Sequence, residues 1–591
     1  MKIEIMTGDE AVARGAYEAS CHLAAAYPGT PSTEILENIS ALYADVIDCR
    51  WTTNEKTALE VAGGAAIGGM RALAAMKHVG VNVAADPMFT FGMTGSEGGL
   101  VIISADDPAC HSSQNEQDNR LYAPHAKLAM VEASDSQECK DYIKASFEIS
   151  EKFDIPVLFR MTTRVCHAKS LVKLEDRQEV AIKPYESKPN KYAMLPAAAR
   201  VRHAIREKLL IELEEYANTS PLNRTEWGDK KVGIVTSGIS YQYARDVFGD
   251  NASYLKLGLT HPLPGNLIKS FCQEVETILV IEEGEPYLET KVRTLGFDCT
   301  GKDKLPNQGE FSTSLLRRLL TGEADPEIYT TDVKAPPRPP VLCAGCPHRG
   351  YYNAMKKRKK DIVAVGDIGC YALGVNEPFN GFDISICMGA GFTVPIGLSK
   401  ALEKQGDKRK VFGMLGDSTF FHSGMTGLVD VVHSDANVVI CILDNDITAM
   451  TGHQVNPGTD VALNGQPARV VSIESVVRGA GFTDENLRIV NPISQAEMDA
   501  AIDDGIKAKG PFVIITKYPC ALIKEVARTY VGKYCVIDQD KCKKCKACLK
   551  IACPAIALKD GVIAIVDRDA CTACGLCMQV CKFGAISKVG V

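Results

Sequence analysis

The 591-residue sequence has no apolar run long enough to cross a bilayer as a helix, and no charged stretch followed by an apolar one at Met1. It also lacks a basic excess, since 66 Lys+Arg stand against 73 Asp+Glu for a formal net charge of -7. The first two absences argue against a membrane span and an export signal. The third argues against nucleic acid as a partner, because phosphate backbones select strongly basic faces. Low-complexity tracts are missing too. What is present in quantity is cysteine, 22 residues of it. Without an export signal these thiols are expected to stay reduced in a cytoplasmic, anaerobic setting and to serve as metal ligands.

Eight of the cysteines form the one convincing internal repeat, Cys542-x2-Cys545-x2-Cys548-x4-Cys553-Pro554 and Cys571-x2-Cys574-x2-Cys577-x3-Cys581. Three thiolates at this spacing wrap three corners of one iron-sulfur cube, and the distant fourth crosses to the other cube. The expected sets are therefore Cys542, Cys545, Cys548 and Cys581 for one 4Fe-4S cluster, and Cys571, Cys574, Cys577 and Cys553 for the other. Zinc is disfavoured, since its sites use paired knuckles rather than interlocked triplets. One extra residue before Cys553, and Lys582 where a second proline would fall, depart from the bacterial ferredoxin pattern. Two such clusters move single electrons, so something upstream must supply them.

The length allows about four domains. Short apolar strands such as Val101-Ile102-Ile103-Ser104 alternate with small-residue helices up to about Tyr185, the rhythm of a doubly wound parallel sheet. A charged helix around residues 197–216 follows. A second α/β unit holds strands at Val232 to Gly238 and Thr277 to Ile281. The cluster Ala335-Pro336-Pro337-Arg338-Pro339-Pro340 reads as a stiff spacer. A third α/β unit beyond it has strands at Ile362 to Val365, Val411 to Leu415 and Val438 to Leu443.

In the third unit, consecutive strands end in Gly416-Asp417-Ser418 and Asp444-Asn445-Asp446-Ile447. Both loops fall at the carboxyl edge, where open α/β sheets bind ligands. A carboxylate, a side-chain amide and a carbonyl suit a divalent cation that also holds diphosphate oxygens. The pair resembles the thiamine diphosphate motif, with Ser418 and Asp444 as departures. That resemblance implies Mg2+ on Asp417, Asn445 and the Ile447 carbonyl. Thiamine chemistry also needs a carboxylate to protonate the aminopyrimidine, so that its imino form can take the C2 proton. Enzymes of this class carry it at the start of a small-residue helix with a glycine nine positions later. Glu55, with Gly64, fits; Glu60 fits less well.

Together these marks resemble the 2-oxoacid:ferredoxin oxidoreductases, and within that family the α subunits of its indolepyruvate branch, over essentially the whole length. Further marks are Ala26-Tyr27-Pro28-Gly29-Thr30-Pro31-Ser32-Thr33-Glu34, Asn54-Glu55-Lys56, residues 111–118, Cys343-Ala344-Gly345-Cys346-Pro347-His348-Arg349-Gly350, residues 416–424 and Thr448-Ala449-Met450-Thr451-Gly452. The implied architecture is α/β: three doubly wound parallel-sheet domains of the thiamine diphosphate-binding fold plus a C-terminal bacterial-ferredoxin-like α+β domain. The expected divisions are a pyrimidine-binding domain at 1–188, a helical linker at 189–230 and a transketolase-C-like domain at 231–334. A diphosphate- and Mg-binding domain at 341–525 and a two-cluster domain at 531–591 complete the chain.

The resemblance implies oxidative decarboxylation of arylpyruvates with coenzyme A, giving an aryl-acetyl-CoA, CO2 and reduced ferredoxin. It implies a smaller β subunit and a dimer of heterodimers. Thr30 matches the position that touches the 2-oxo acid, although Pro-Gly-Thr-Pro is also an ordinary turn. His422, just after the metal loop, is a candidate to move protons near the cofactor, with a structural histidine as the alternative. His111 and Gln114 are candidates for the substrate entrance, although an ordinary polar loop explains them as well. Cys343, Cys346, Cys370 and Cys520 match, in order and approximate spacing, the ligands of a third, proximal 4Fe-4S cluster in single-chain relatives. Cys21, Cys49, Cys110, Cys166 and Cys441 are expected to be small core residues. Pyruvate- or 2-oxoglutarate-type chemistry, and a non-catalytic electron-transfer subunit, are the competing readings.

Overall fold

Strand Leu100–Asp106 is buried along its whole length, as a continuous apolar run in a parallel sheet covered on both faces requires. The computed structural model describes residues 2–324, 331–336, 339–559, 561–565 and 567–590. It divides into two compact units, Met1–Asp332 and Val333–Val591.

In the first unit a seven-stranded sheet runs Leu259–His261, Ala129–Glu132, Val157–Thr162, Leu100–Asp106, Ala72–Lys77, Leu23–Ala26, Asp48–Trp51. All neighbours are parallel except Leu259–His261, which pairs antiparallel with Ala129–Glu132. A second, four-stranded sheet runs Thr277–Ile281, Val232–Ser237, Ser253–Leu257, Arg224–Glu226, the last antiparallel. The segment 189–230 thus ends in a strand of the following sheet, and the region 231–334 lends a strand to the preceding one. The helix expected at 197–216 spans Pro196–Ala217. It packs through buried Arg206, which donates to the carbonyls of Gly92 and Asp154. Arg120, also buried, donates to Asp118, Glu282 and the carbonyls of Glu283 and Glu285, so one guanidinium spans both sheets.

In the second unit a five-stranded parallel sheet runs Ile362–Val365, Lys410–Gly416, Val438–Asp444, Phe512–Lys517, Leu487–Val490. Alternate residues of one strand feed opposite cores: Phe412 and Met414 pack on one face, Val411 and Leu415 on the other. The sheet is therefore covered on both sides. Two antiparallel ribbons follow, Tyr534–Ile537 with Ile586–Val589 and Ile556–Lys559 with Val562–Ile565, around a small cysteine-rich core. Pro337 and Arg338 of the proline cluster lie outside the described residues; its other members carry no regular structure. Among the described residues no helix is long and apolar enough to cross a membrane. Of the cysteines expected in cores, Cys21, Cys49, Cys166 and Cys441 are buried, whereas Cys110 is part-exposed at the end of the short 3-10 turn Pro108–Cys110.

Candidate active site

In the first unit the sequence-predicted residues gather at the carboxyl edge of the seven-stranded sheet. Glu55 opens the helix Glu55–Ile67, whose N-cap Asn54 accepts from the Thr57 N–H at 2.9 Å. It is buried, and Gly80 backs against it so closely that a Cβ there would stand 2.6 Å from Glu55 Cγ. Glu60 instead is exposed and pairs with Lys56 on the surface. Gly64 faces open space, so no packing demand explains that glycine. Thr30 sits in the loop after strand Leu23–Ala26, where Ser32 Oγ donates to the Gly29 carbonyl and Gly29 N–H to Thr33 Oγ1. Ser112 Oγ reaches the Thr30 carbonyl at 3.4 Å. His111 is exposed and lies 2.9 Å from Glu310, and Gln114 is exposed. Lys77, at the end of the neighbouring strand Ala72–Lys77, escaped the sequence reading; its Nζ donates to Ser112 O and Oγ.

In the second unit Asp417 and Asn445 close the ends of adjacent strands, as their positions one residue past Gly416 and Asp444 require. One terminal atom of the Asn445 amide lies 2.9 Å from the Ile447 carbonyl oxygen and 3.3 Å from Asp417 Oδ1. With nitrogen there it donates to both. With oxygen there three oxygens face one point, which is the ligand set a hard divalent cation takes. Burial, then the nearby charge of Asp444, lifts the Asp417 carboxyl to about 8, opposed by the Asn456 amide donating at 2.9 Å. A cation at that point would hold it ionised. Asp444, the departure from the motif, caps its own loop by accepting from the Asp446 N–H. Ser418 is buried beside Asp417, and Gly416 abuts the Tyr371 ring.

His422 lies in the turn Phe420–Gly424 just beyond and is buried. Its Nδ1 is 3.0 Å from Ser423 Oγ, which spends its own proton on the Met388 carbonyl, so Nδ1 carries the hydrogen. Asp367, another residue that sequence reasoning missed, accepts N–H bonds from Ile368, Gly389 and Gly391, and burial still lifts it to about 7. A Gly-Asp at the end of strand Ile362–Val365 was the available signal, the same one that marked Asp417.

The cysteines converge in three groups within the second unit. Cys542, Cys545, Cys548 and Cys581 line one concavity with Ile537, Ile563 and Phe583. Cys553, Cys571, Cys574 and Cys577 line another, together with Arg349 and a ninth cysteine, Cys535. The Cys535 N–H donates to Cys571 Sγ at 3.3 Å, a contact no spacing rule foretold. The thiols of Cys343, Cys346, Cys370 and Cys520 are electrostatic neighbours, and burial pushes Cys346 and Cys370 up to about 12. Such thiols ionise only when a metal compensates them. This third group touches both ends of a line. The Cys520 N–H donates to the Asn445 carbonyl at 3.0 Å, and Gly345 (φ +73°) leaves only 2.3 Å between its missing Cβ and Thr572. Buried Arg349 joins the loop at Leu342 and Cys343 to that at Ile551 and Ala552, donating to all four carbonyls.

Comparison with known proteins gives this arrangement its relatives. A model described as "Thiamine pyrophosphate enzyme, C-terminal TPP binding domain" matches residues 367–516. "Pyruvate flavodoxin/ferredoxin oxidoreductase, thiamine diP-bdg" matches 14–224, and a "4Fe-4S binding domain" matches 564–587. The indolepyruvate oxidoreductase subunit IorA of Archaeoglobus fulgidus is 41% identical over 580 residues, covering 93% of this chain and 92% of that one. Its counterpart in Methanothermobacter marburgensis is 37% identical, covering 99% and 97%. The 2-oxoglutarate synthase subunit KorA of Methanocaldococcus jannaschii is 29% identical over 32% of this chain and 54% of its own. With such identity over nearly the full length of both chains, the protein belongs to the 2-oxoacid:ferredoxin oxidoreductase family, among the IorA subunits, as a thiamine diphosphate-dependent oxidoreductase with an iron-sulfur domain.

Proposed function

We propose that the chain oxidatively decarboxylates arylpyruvates such as indolepyruvate, with coenzyme A as acyl acceptor and ferredoxin as electron acceptor. It works with a smaller β subunit in a dimer of heterodimers. Bound thiamine diphosphate supplies the nucleophilic carbon and the electron sink that decarboxylation of a 2-oxo acid needs. Glu55, buried at a helix start, holds a proton at the aminopyrimidine. Asp417, Asn445 and the Ile447 carbonyl hold Mg2+, which neutralises the diphosphate. Thr30 offers its hydroxyl to the substrate, and His422, oriented through Nδ1 by Ser423, handles protons on the side of the metal loop. Each of the three cysteine groups carries one 4Fe-4S cluster.

The observation that carries this reading is the direct backbone bond from Cys520 to Asn445, 3.0 Å long. It ties a cysteine group to the diphosphate loop, and Arg349 ties that group to the next. These two ties support an electron route that starts at the diphosphate loop and passes along the three cysteine groups. An anaerobic assay of the assembly with a viologen acceptor, comparing indolepyruvate, phenylpyruvate, pyruvate and 2-oxoglutarate, tests it. Higher kcat/KM for the aryl acids is expected. A preference for pyruvate or 2-oxoglutarate would move the chain to another substrate class, and no coenzyme A-dependent reduction with any of them would end the reading.

A further inference from the structure

Lys77 is a buried cation whose charge is poorly matched. It is 8% exposed at the carboxyl end of strand Ala72–Lys77. Of three ammonium N–H groups, two are placed, at 2.6 Å on Ser112 O and 3.1 Å on Ser112 Oγ. The carboxylate paired with it, Asp107 Oδ2, stands 4.0 Å away. That carboxylate is already engaged, accepting from Ser112 N–H at 2.9 Å, Thr163 Oγ1 at 2.9 Å and Ser113 Oγ. Burial therefore lowers the Lys77 pKa to about 8 against the pull of Asp107.

The position of the ammonium matters as much as its charge. Gly29 backs onto Lys77, whose Cβ a methyl on Gly29 would meet at 3.1 Å. Ser112, which takes two Lys77 hydrogen bonds, also touches the Thr30 carbonyl. Three residues beyond Lys77, Gly80 lies against the Glu55 carboxylate. Lys77 thus stands among the elements that place Thr30 and Glu55. Building a lysine into such a site is costly unless an anion visits it.

We propose that Lys77 binds the carboxylate of the 2-oxo acid, beside the Thr30 hydroxyl. This rests on the function proposed above and adds the residue that reads the negative charge common to all its substrates. A 2-oxo acid carries one carboxylate, and an ammonium with a free N–H and a distant, shared counter-ion is the complement of one anion. An ammonium half-committed to Asp107 orients the carboxylate without holding it so tightly that loss of neutral CO2 is opposed.

The test uses the complete assembly, loaded with its cofactors, and the variants Lys77→Met and Lys77→Arg. For Lys77→Met, KM for the arylpyruvate should rise roughly 10- to 150-fold, the range for losing a charge-assisted hydrogen bond. Calorimetric affinities for thiamine diphosphate and for the matching arylacetaldehyde, which lacks the carboxylate, should stay within about threefold, well below that range. Lys77→Arg, which keeps the charge, should recover part of the loss. Equal weakening of acid and aldehyde, or a lower kcat with KM unchanged, would overturn the proposal and leave Lys77 as a clamp for the loop at 107–113. Should the wild-type assembly turn over no 2-oxo acid at all, the proposed function fails instead, and the affinities for acid and aldehyde, compared between wild type and Lys77→Met, still report on Lys77.

Discussion

Glu55 and Gly80 constrain each other, and that contact makes two substitutions informative. Glu55→Gln keeps the shape but removes the acid, so turnover should fall by about two to four decades. Iron content and cluster spectra should be unchanged, which anaerobic kinetics beside electron paramagnetic resonance would check. Gly80→Ala adds a methyl where only 2.6 Å separates it from Glu55 Cγ, so the carboxylate must move. Alanine favours a helix over glycine by about 1 kcal/mol. The melting temperature of Gly80→Ala should therefore hold while kcat drops at least about tenfold, as expected when a catalytic group is displaced. Activity within twofold of wild type would show that Glu55 tolerates displacement or does no chemistry.

At the level of elements, two buried charges set the behaviour of their surroundings. Asp9 lies in the first turn of the helix Gly8–Glu18, fully buried beside the Cys166 thiol. Burial, then the charge of Glu34, raises its pKa well above the ordinary value. A carboxyl whose folded pKa is raised stabilises fully below its unfolded pKa, and that stability is lost as pH rises through the folded value. Asp9→Asn should remove this loss. Its melting temperature should overtake wild type as pH increases above about 4, the ordinary carboxylate value. Parallel melting curves across pH 4 to 8 would refute the assignment. Arg349 holds four carbonyls of two loops, and Arg349→Leu strands them at about 1–3 kcal/mol each. Limited proteolysis should then cut near residues 551–553 before the five-stranded sheet opens, and ferredoxin reduction should fail before viologen reduction.

For the whole molecule the count of clusters is the decisive quantity. Three groups of four cysteines imply about twelve irons per chain in anaerobically prepared protein. Cys343→Ser should bring this to about eight and block ferredoxin reduction, while the signals of the two terminal clusters persist. About eight irons in fully active wild type would reject the third cluster. Its physical motive is distance. The cysteines at 542–581 belong to the terminal ribbons, and the group at Cys343, Cys346, Cys370 and Cys520 is the one that reaches the Asn445 loop.

Sequence alone determined whatever is local in the chain. The interlocked cysteine triplets, the helix start at Asn54-Glu55 and the paired strand ends at Asp417 and Asn445 are dictated by spacing within a few residues, and the parallel sheets by buried apolar runs. Tertiary structure decided what depends on closure between distant segments. Lys77 meets Ser112 across 35 positions, Asn456 meets Asp417 across 39, and Arg349 meets Ile551 across 202. It also moved strand Leu259–His261 into the preceding sheet and placed Cys535 against Cys571. None of these has a periodicity or motif of its own. A buried lysine or arginine is legible only once the fold has taken water away from it, because its partners are chosen by the low-dielectric space they share and not by their separation along the chain.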